Sequence, residues 1–165
     1  MPSSFRSSSR LPTRTYVLRC HLSETRLNIL RSLPQGVKAI ISIGGWGGSV
    51  YFSSNVATAE NRTAFVKTIT DFTTQWKVDG IDFDWEYPGT QGIGCNVESP
   101  QDTDNFLAFL QALRQDSVGK NLILSASTTV FPWNGAAGTA LTDVSGFAQT
   151  LDFISIMNYE LWGSW

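Results

Sequence analysis

Residues 79–89 read Asp79-Gly80-Ile81-Asp82-Phe83-Asp84-Trp85-Glu86-Tyr87-Pro88-Gly89. Acids alternate with large apolar residues, and that alternation predicts a strand. Successive strand side chains point to opposite faces, so Asp82, Asp84 and Glu86 share one face, ~6.6 to 7 Å apart at each two-residue step. Ile81, Phe83 and Trp85 share the other, which places Trp85 against a helix layer. Asp79 has the parity of the apolar face and is expected to lie in the turn or bind backbone at the strand's start. The apolar company implies burial, and an unpartnered buried carboxylate is very costly. Carboxyls so close cannot all ionise freely, so a proton is shared or held. Glu86 stands at the C-terminal end of the strand, where parallel α/β proteins place their sites. A carboxylic acid kept protonated near neutral pH is what a general acid requires. Oxygen ligation of Mg²⁺ or Ca²⁺ is the competing use of such acids, but no second acidic loop completes a shell. A solvated, half-exposed strand is disfavoured by the apolar flanks.

Working outward, helices and strands alternate. Residues 37–43, VKAIISI, form a buried strand that breaks at Gly44-Gly45-Trp46-Gly47-Gly48. Residues 59–77 form a helix whose Phe65, Ile69, Phe72 and Trp76 make one apolar stripe. A Gly-rich loop follows the acidic strand over 89–101. Residues 102–115 form a helix with Phe106, Phe109, Leu110 and Leu113 inward and Asp102 or Thr103 as cap. Strands are expected at 121–127 and 152–159, with a short helix or turn over 141–150. A helix is also expected over 23–33, capped by Ser23 and closed by Pro34. This alternation argues for βα units and a parallel sheet. By length alone, 165 residues favour a doubly wound sheet over a (β/α)₈ barrel of typically ~250 residues.

The bulk composition narrows the function classes. With 42% hydrophobic and 16% charged residues the chain is globular. A net charge of -2 offers no basic footprint for nucleic acid or an anionic membrane. No run is long enough for a membrane span. Six Trp suit flat sugar faces as well as core packing. Cys20 and Cys95 allow one disulfide at most, and His21 stands alone, so neither a cysteine framework nor a metal site is expected. Residues 1–21 lack an apolar signal core and are expected to be a disordered or artefactual leader ahead of a catalytic domain over 22–165. Asn61-Arg62-Thr63 is a glycosylation sequon, a pattern frequent by chance.

Asp79-x-x-Asp82-x-Asp84-x-Glu86, continued by Tyr87 and Pro88, resembles the DxxDxDxE signature of family-eighteen glycoside hydrolases, the chitinases, and most closely the fungal secreted type. Ser42-Ile43-Gly44-Gly45-Trp46 resembles that family's SxGG element on barrel strand three, and Met157-Asn158-Tyr159-Glu160 its M-x-Y-D element on strand six. The resemblance implies an incomplete (β/α)₈ barrel, about half present, with strands three to six. It implies an endo-acting chitinase that needs no cofactor and cleaves β-1,4 linkages between N-acetylglucosamine units. The substrate's own acetamido oxygen would serve as nucleophile, an exception to the two-carboxylate scheme. Glu86 would be acid then base, Asp84 would orient the acetamido group, and Asp82 would share a proton with Asp84. Tyr159 would donate to the acetamido oxygen. Ser42 would bond within the carboxylate network. Gly45, Met157, Asn158 and Glu160 belong to the substrate-binding motifs, with Trp46, Tyr87 and Trp133 as sugar platforms. Met157 and Tyr159 share strand parity and are expected to face the barrel interior.

Glu160 departs from the family's Asp, which shifts a carboxylate by one methylene where geometry matters. Counterparts of strands one, seven and eight are missing, so the expectation is a truncated gene model or fragment with the catalytic acid but not a complete pocket. The partner implied is chitin or a chitooligosaccharide, and the full-length relative is implied to be monomeric and extracellular. Two alternatives stand beside this reading: a non-catalytic, lectin-like chitin binder, and an endo-β-N-acetylglucosaminidase.

Overall fold

The computed structural model describes the backbone of 15–19 and residues 34–159 and 161–162. Five strands form one parallel sheet in the order β1-β2-β3-β4-β5: Thr15–Arg19, Lys38–Gly44, Gly80–Asp84, Ile123–Thr128 and Phe153–Ile156. Between β2 and β3 lie α1 (Phe52–Val56) and α2 (Ala59–Trp76); α3 (Asp102–Gln115) and a 3₁₀ turn (Gly119–Asn121) precede β4, and α4 (Ser145–Thr150) precedes β5. β1 falls inside the stretch expected as a leader, so the sheet has five strands where four were expected. The expected helix over 23–33 lies outside the described residues.

A doubly wound sheet reverses its strand order at a switch point and carries helices on both faces. Here each strand pairs with its neighbour in sequence, and among the described residues the helices lie on one face. Ile41, Ile81, Phe83, Leu124 and Ala126 on that face pack with Phe106, Phe109, Leu110 and Leu113 of α3, all within one core cluster. Phe83 meets Phe106 and Phe109 edge-on at 6.0 and 5.4 Å between ring centroids. Each such fully buried ring contributes about 1.5–3 kcal/mol by removal from water. Sequential strands with helices outside are an arc of a (β/α)₈ barrel, and the length argument for the doubly wound sheet fails.

Local rules place the helices. Thr58 Oγ1 accepts from Asn61 N at 3.2 Å and caps α2, and Lys77 closes it at a left-handed φ of 53°. α3 begins where the periodicity put it, but its cap position is Gln101, and neither Asp102 nor Thr103 caps it. Asp102 is wholly buried and receives other donors: Ser53 Oγ at 2.6 Å, Ser99 N at 2.9 Å and Gly89 N at 3.3 Å. That carboxylate fastens the loop after β3 to the start of α3. Among the described residues no helix is long and apolar enough to cross a membrane.

Candidate active site

The face of the sheet turned away from the helices is polar. Register aligns Ser42 with Asp82, and Asp82 with Ser125. Asp82 is 1% exposed, and its carboxylate accepts from Ser42 Oγ at 2.8 Å and from Ser125 Oγ at 2.7 Å. Two hydroxyls from the flanking strands thus replace the water it loses. One step along the strand, Asp84 is 2% exposed and faces Gly44 in the register. Glu86 follows past the strand's last residue and is half-buried. The three acids form a row from the interior to the C-terminal mouth. Trp85, on the other face, stacks on Phe52 at 5.2 Å and meets Phe106 edge-on at 5.4 Å. Asp79 sits at the far end of the strand, pairs with Lys38 Nζ and accepts from Ala39 N at 3.0 Å. It joins the starts of β2 and β3 and takes no part in the row.

The turn after β2 explains its glycines. Gly44 has φ 110°, and a Cβ there would stand 2.3 Å from Asp84 O. Gly45 N donates to that same oxygen at 2.7 Å, and Gly45 takes a left-handed φ of 79° that side chains rarely adopt. Only residues without a side chain let this loop close over the acid row. The peptide between Glu86 and Tyr87 is cis. The Tyr87 phenol is pushed up to about 12, first by burial, then by the charge of Glu86 and a hydrogen bond with its side chain, with Tyr159 and Asp84 adding less. The Tyr87 hydroxyl therefore lies among the carboxylates at the mouth and stays protonated well above neutral pH.

Not every expected residue stands as expected. Trp46 is 53% exposed, as a platform needs. Trp133 is 5% exposed; its ring packs on Phe147 at 4.2 Å and its Nε1 donates to Ser127 O at 3.3 Å. It is a core residue at the floor of a cavity of about 290 Å³ that Tyr87, Thr128, Phe131 and Asn134 also line. A sugar platform needs a free ring face, and the exposed ring of that loop is Phe131. β5 ends at Ile156, and Asn158 N turns back to Ile156 O at 3.0 Å. Strand parity therefore does not reach Tyr159: Met157 is buried, whereas Asn158 and Tyr159 are exposed. Tyr159 still reaches the mouth, since its phenol acts on Tyr87. Glu160, Cys20 and His21 lie outside the described residues, and Cys95 is an exposed free thiol. Among the described residues no group of three His, Cys, Asp or Glu is placed to hold a metal ion.

Sequence reasoning missed Ser125, although a serine inside the apolar run NLILSAS, on the inward parity, was a readable signal. It also missed Ser49 and Asn96, whose side chains bond the main chain of Glu86.

The family described as Glycosyl hydrolases family 18 matches residues 18–165. A "chitinase-like effector" of Moniliophthora roreri is 54% identical over 130 residues, covering 79% of this chain and 31% of that protein. Chitinase A1 of Niallia circulans is 34% identical over 142 residues, 85% of this chain and 20% of its own. The crystal structure of a chitinase from Rhizomucor miehei superposes with a TM-score of 0.85 at 27% identity, covering 91% of this chain and 44% of that one. The chain thus spans less than half the length of each of these relatives.

Proposed function

The chain belongs to glycosyl hydrolase family 18, and from that premise we propose that the protein it represents hydrolyses the β-1,4 linkages of chitin with retention, outside the cell. The observation that carries the reading is the row of buried Asp82 and Asp84 and half-buried Glu86, with its innermost member held by Ser42 and Ser125. Glu86, at the mouth, protonates the glycosidic oxygen and then draws a proton from water. Asp84, one step deeper, faces the acetamido group and offsets the positive charge that develops as its oxygen attacks the anomeric carbon. Asp82 is anchored by two donors and sets the orientation of the acid above it. The Tyr87 and Tyr159 phenols supply hydrogen bonds at the mouth, where charge develops. Trp46 and Phe131 offer exposed rings to sugar faces.

A second reading is binding of chitooligosaccharide without turnover. It is favoured by the 54% identical relative, described as "chitinase-like", and by Glu160 where the resemblance expects Asp. One experiment separates the two. The purified chain and Glu86→Gln are assayed on a fluorogenic N,N′-diacetylchitobioside, with binding of chitopentaose followed by calorimetry. Hydrolysis that vanishes in Glu86→Gln supports the enzyme. Binding by both without hydrolysis supports the second reading. Neither binding nor hydrolysis by a folded chain means that these 165 residues make no working pocket and refutes both readings for this chain.

A further inference from the structure

β3 ends at Asp84, so Glu86 lies beyond the last residue that the strand ladder holds. A buried or half-buried main chain outside a ladder still needs partners for its N–H and C=O. Here both come from side chains on two different loops. Glu86 N donates to Ser49 Oγ at 2.9 Å, and Glu86 O accepts from Asn96 Nδ2 at 2.9 Å. Ser49 is wholly buried and donates in turn to Gly45 O at 2.8 Å. The two loops are joined directly beside these contacts, where Val97 N donates to Val50 O at 3.1 Å. Ser49, Glu86, Asn96, Val97 and Val50 therefore close a ring around the peptide units of Glu86. The packing leaves it little room: a Cβ on Gly92 would lie 2.0 Å from Glu86 O and 3.0 Å from Asn96 Nδ2. Asp102 anchors both ends of the 89–99 loop that carries Asn96.

We infer that Ser49 and Asn96 are positioning residues that fix the main chain, and through it the carboxyl, of Glu86. The inference rests on the reading of Glu86 as the acid at the site. Asn96 Nδ2 meets the row at the main chain of Glu86, whereas Ser49 Oγ also donates to Asp84 O at 3.3 Å, so the Asn96 variants isolate the effect that passes through Glu86. A misplacement of about an ångström at a reacting group costs up to roughly 100-fold in rate.

The test uses the full chain with Ser49→Ala, Asn96→Ala and Asn96→Leu. The last keeps the approximate volume of Asn96, adds no charge and removes its donor to Glu86 O. Three readouts are taken: the thermal midpoint, the titration of the Glu86 side-chain carboxyl by ¹³C NMR, and kcat and KM on the fluorogenic chitobioside. Expected are a kcat lower by roughly 10- to 100-fold and a KM within about twofold in all three variants. The Glu86 titration midpoint should move by about half a pH unit or more, with the fold retained. Should Ser49→Ala fail to fold, the two Asn96 variants decide. Should the parent chain show no hydrolysis, the enzymatic reading fails for this chain and the Glu86 titration alone decides. A folded Asn96→Leu whose Glu86 titration and, where measurable, kcat match the parent overturns the inference.

Discussion

At Asp82 two hydroxyls do the work of solvent. Removing one leaves a buried carboxylate short of a donor, which costs about 1–3 kcal/mol, more than the bond itself contributes. Ser125→Ala should therefore lower the free energy of unfolding by that amount in urea titration, although Ser125 touches no expected substrate atom. Tyr87 gives a second expectation at this scale. Its folded-state phenol titrates near 12, against the ordinary 10.0. Raising a pKa on folding means that the folded state keeps a proton that the unfolded state loses. The stability from this group is full below pH 10 and is lost as pH rises toward 12. Absorbance at 295 nm should show one phenol of the folded chain ionising late, and Tyr87→Phe should delete that step. A late step that persists in Tyr87→Phe refutes the assignment.

Elements succeed where the sequence carries a period and fail where a contact has none. α3 was legible because Phe106, Phe109, Leu110 and Leu113 repeat on one helical face, and all four are wholly buried. The acid row was legible because strand parity is a strict rule of two. β1 was not, because Thr15–Arg19 is a short run set among Ser and Arg, and its register with Lys38–Ser42 comes from the neighbouring strand. Trp133 was misread because aromatic rings serve core and ligand alike, and only packing on Phe147 and Phe106 decides. The ring of Ser49 and Asn96 has no sequence signature, since a side chain bonding a distant main chain leaves no spacing to count. The SxGG turn tests how tightly β2 and β3 are joined. Gly44→Ala would drive a methyl group into Asp84 O at an unfavourable φ. It should destabilise the chain by more than about 2 kcal/mol, read as a fall in the thermal midpoint, and should abolish any hydrolysis by shifting the loop over the acids.

The whole molecule is an arc of sheet with its helices outside. β1 and β5 are its outer strands, each paired on one side only among the described residues. Unpaired strand edges template association, and Ile156, Leu161 and Trp162 are exposed near one of them. The purified chain should therefore sediment as assemblies that grow with concentration; a single monomeric boundary at every concentration refutes this. The strictly sequential strand order has another consequence, in time. Chains leave the ribosome at about 5–20 residues per second and fold from the N-terminus. Among the described strands, each one after β1 meets a partner synthesised just before it. Asp82 is the exception in this growth from one end. It finds the Ser42 hydroxyl as soon as β3 docks, but its second donor arrives only with β4. During synthesis the nascent sheet passes through a stage in which this carboxylate is half-satisfied, and the emergence of Ser125 closes it.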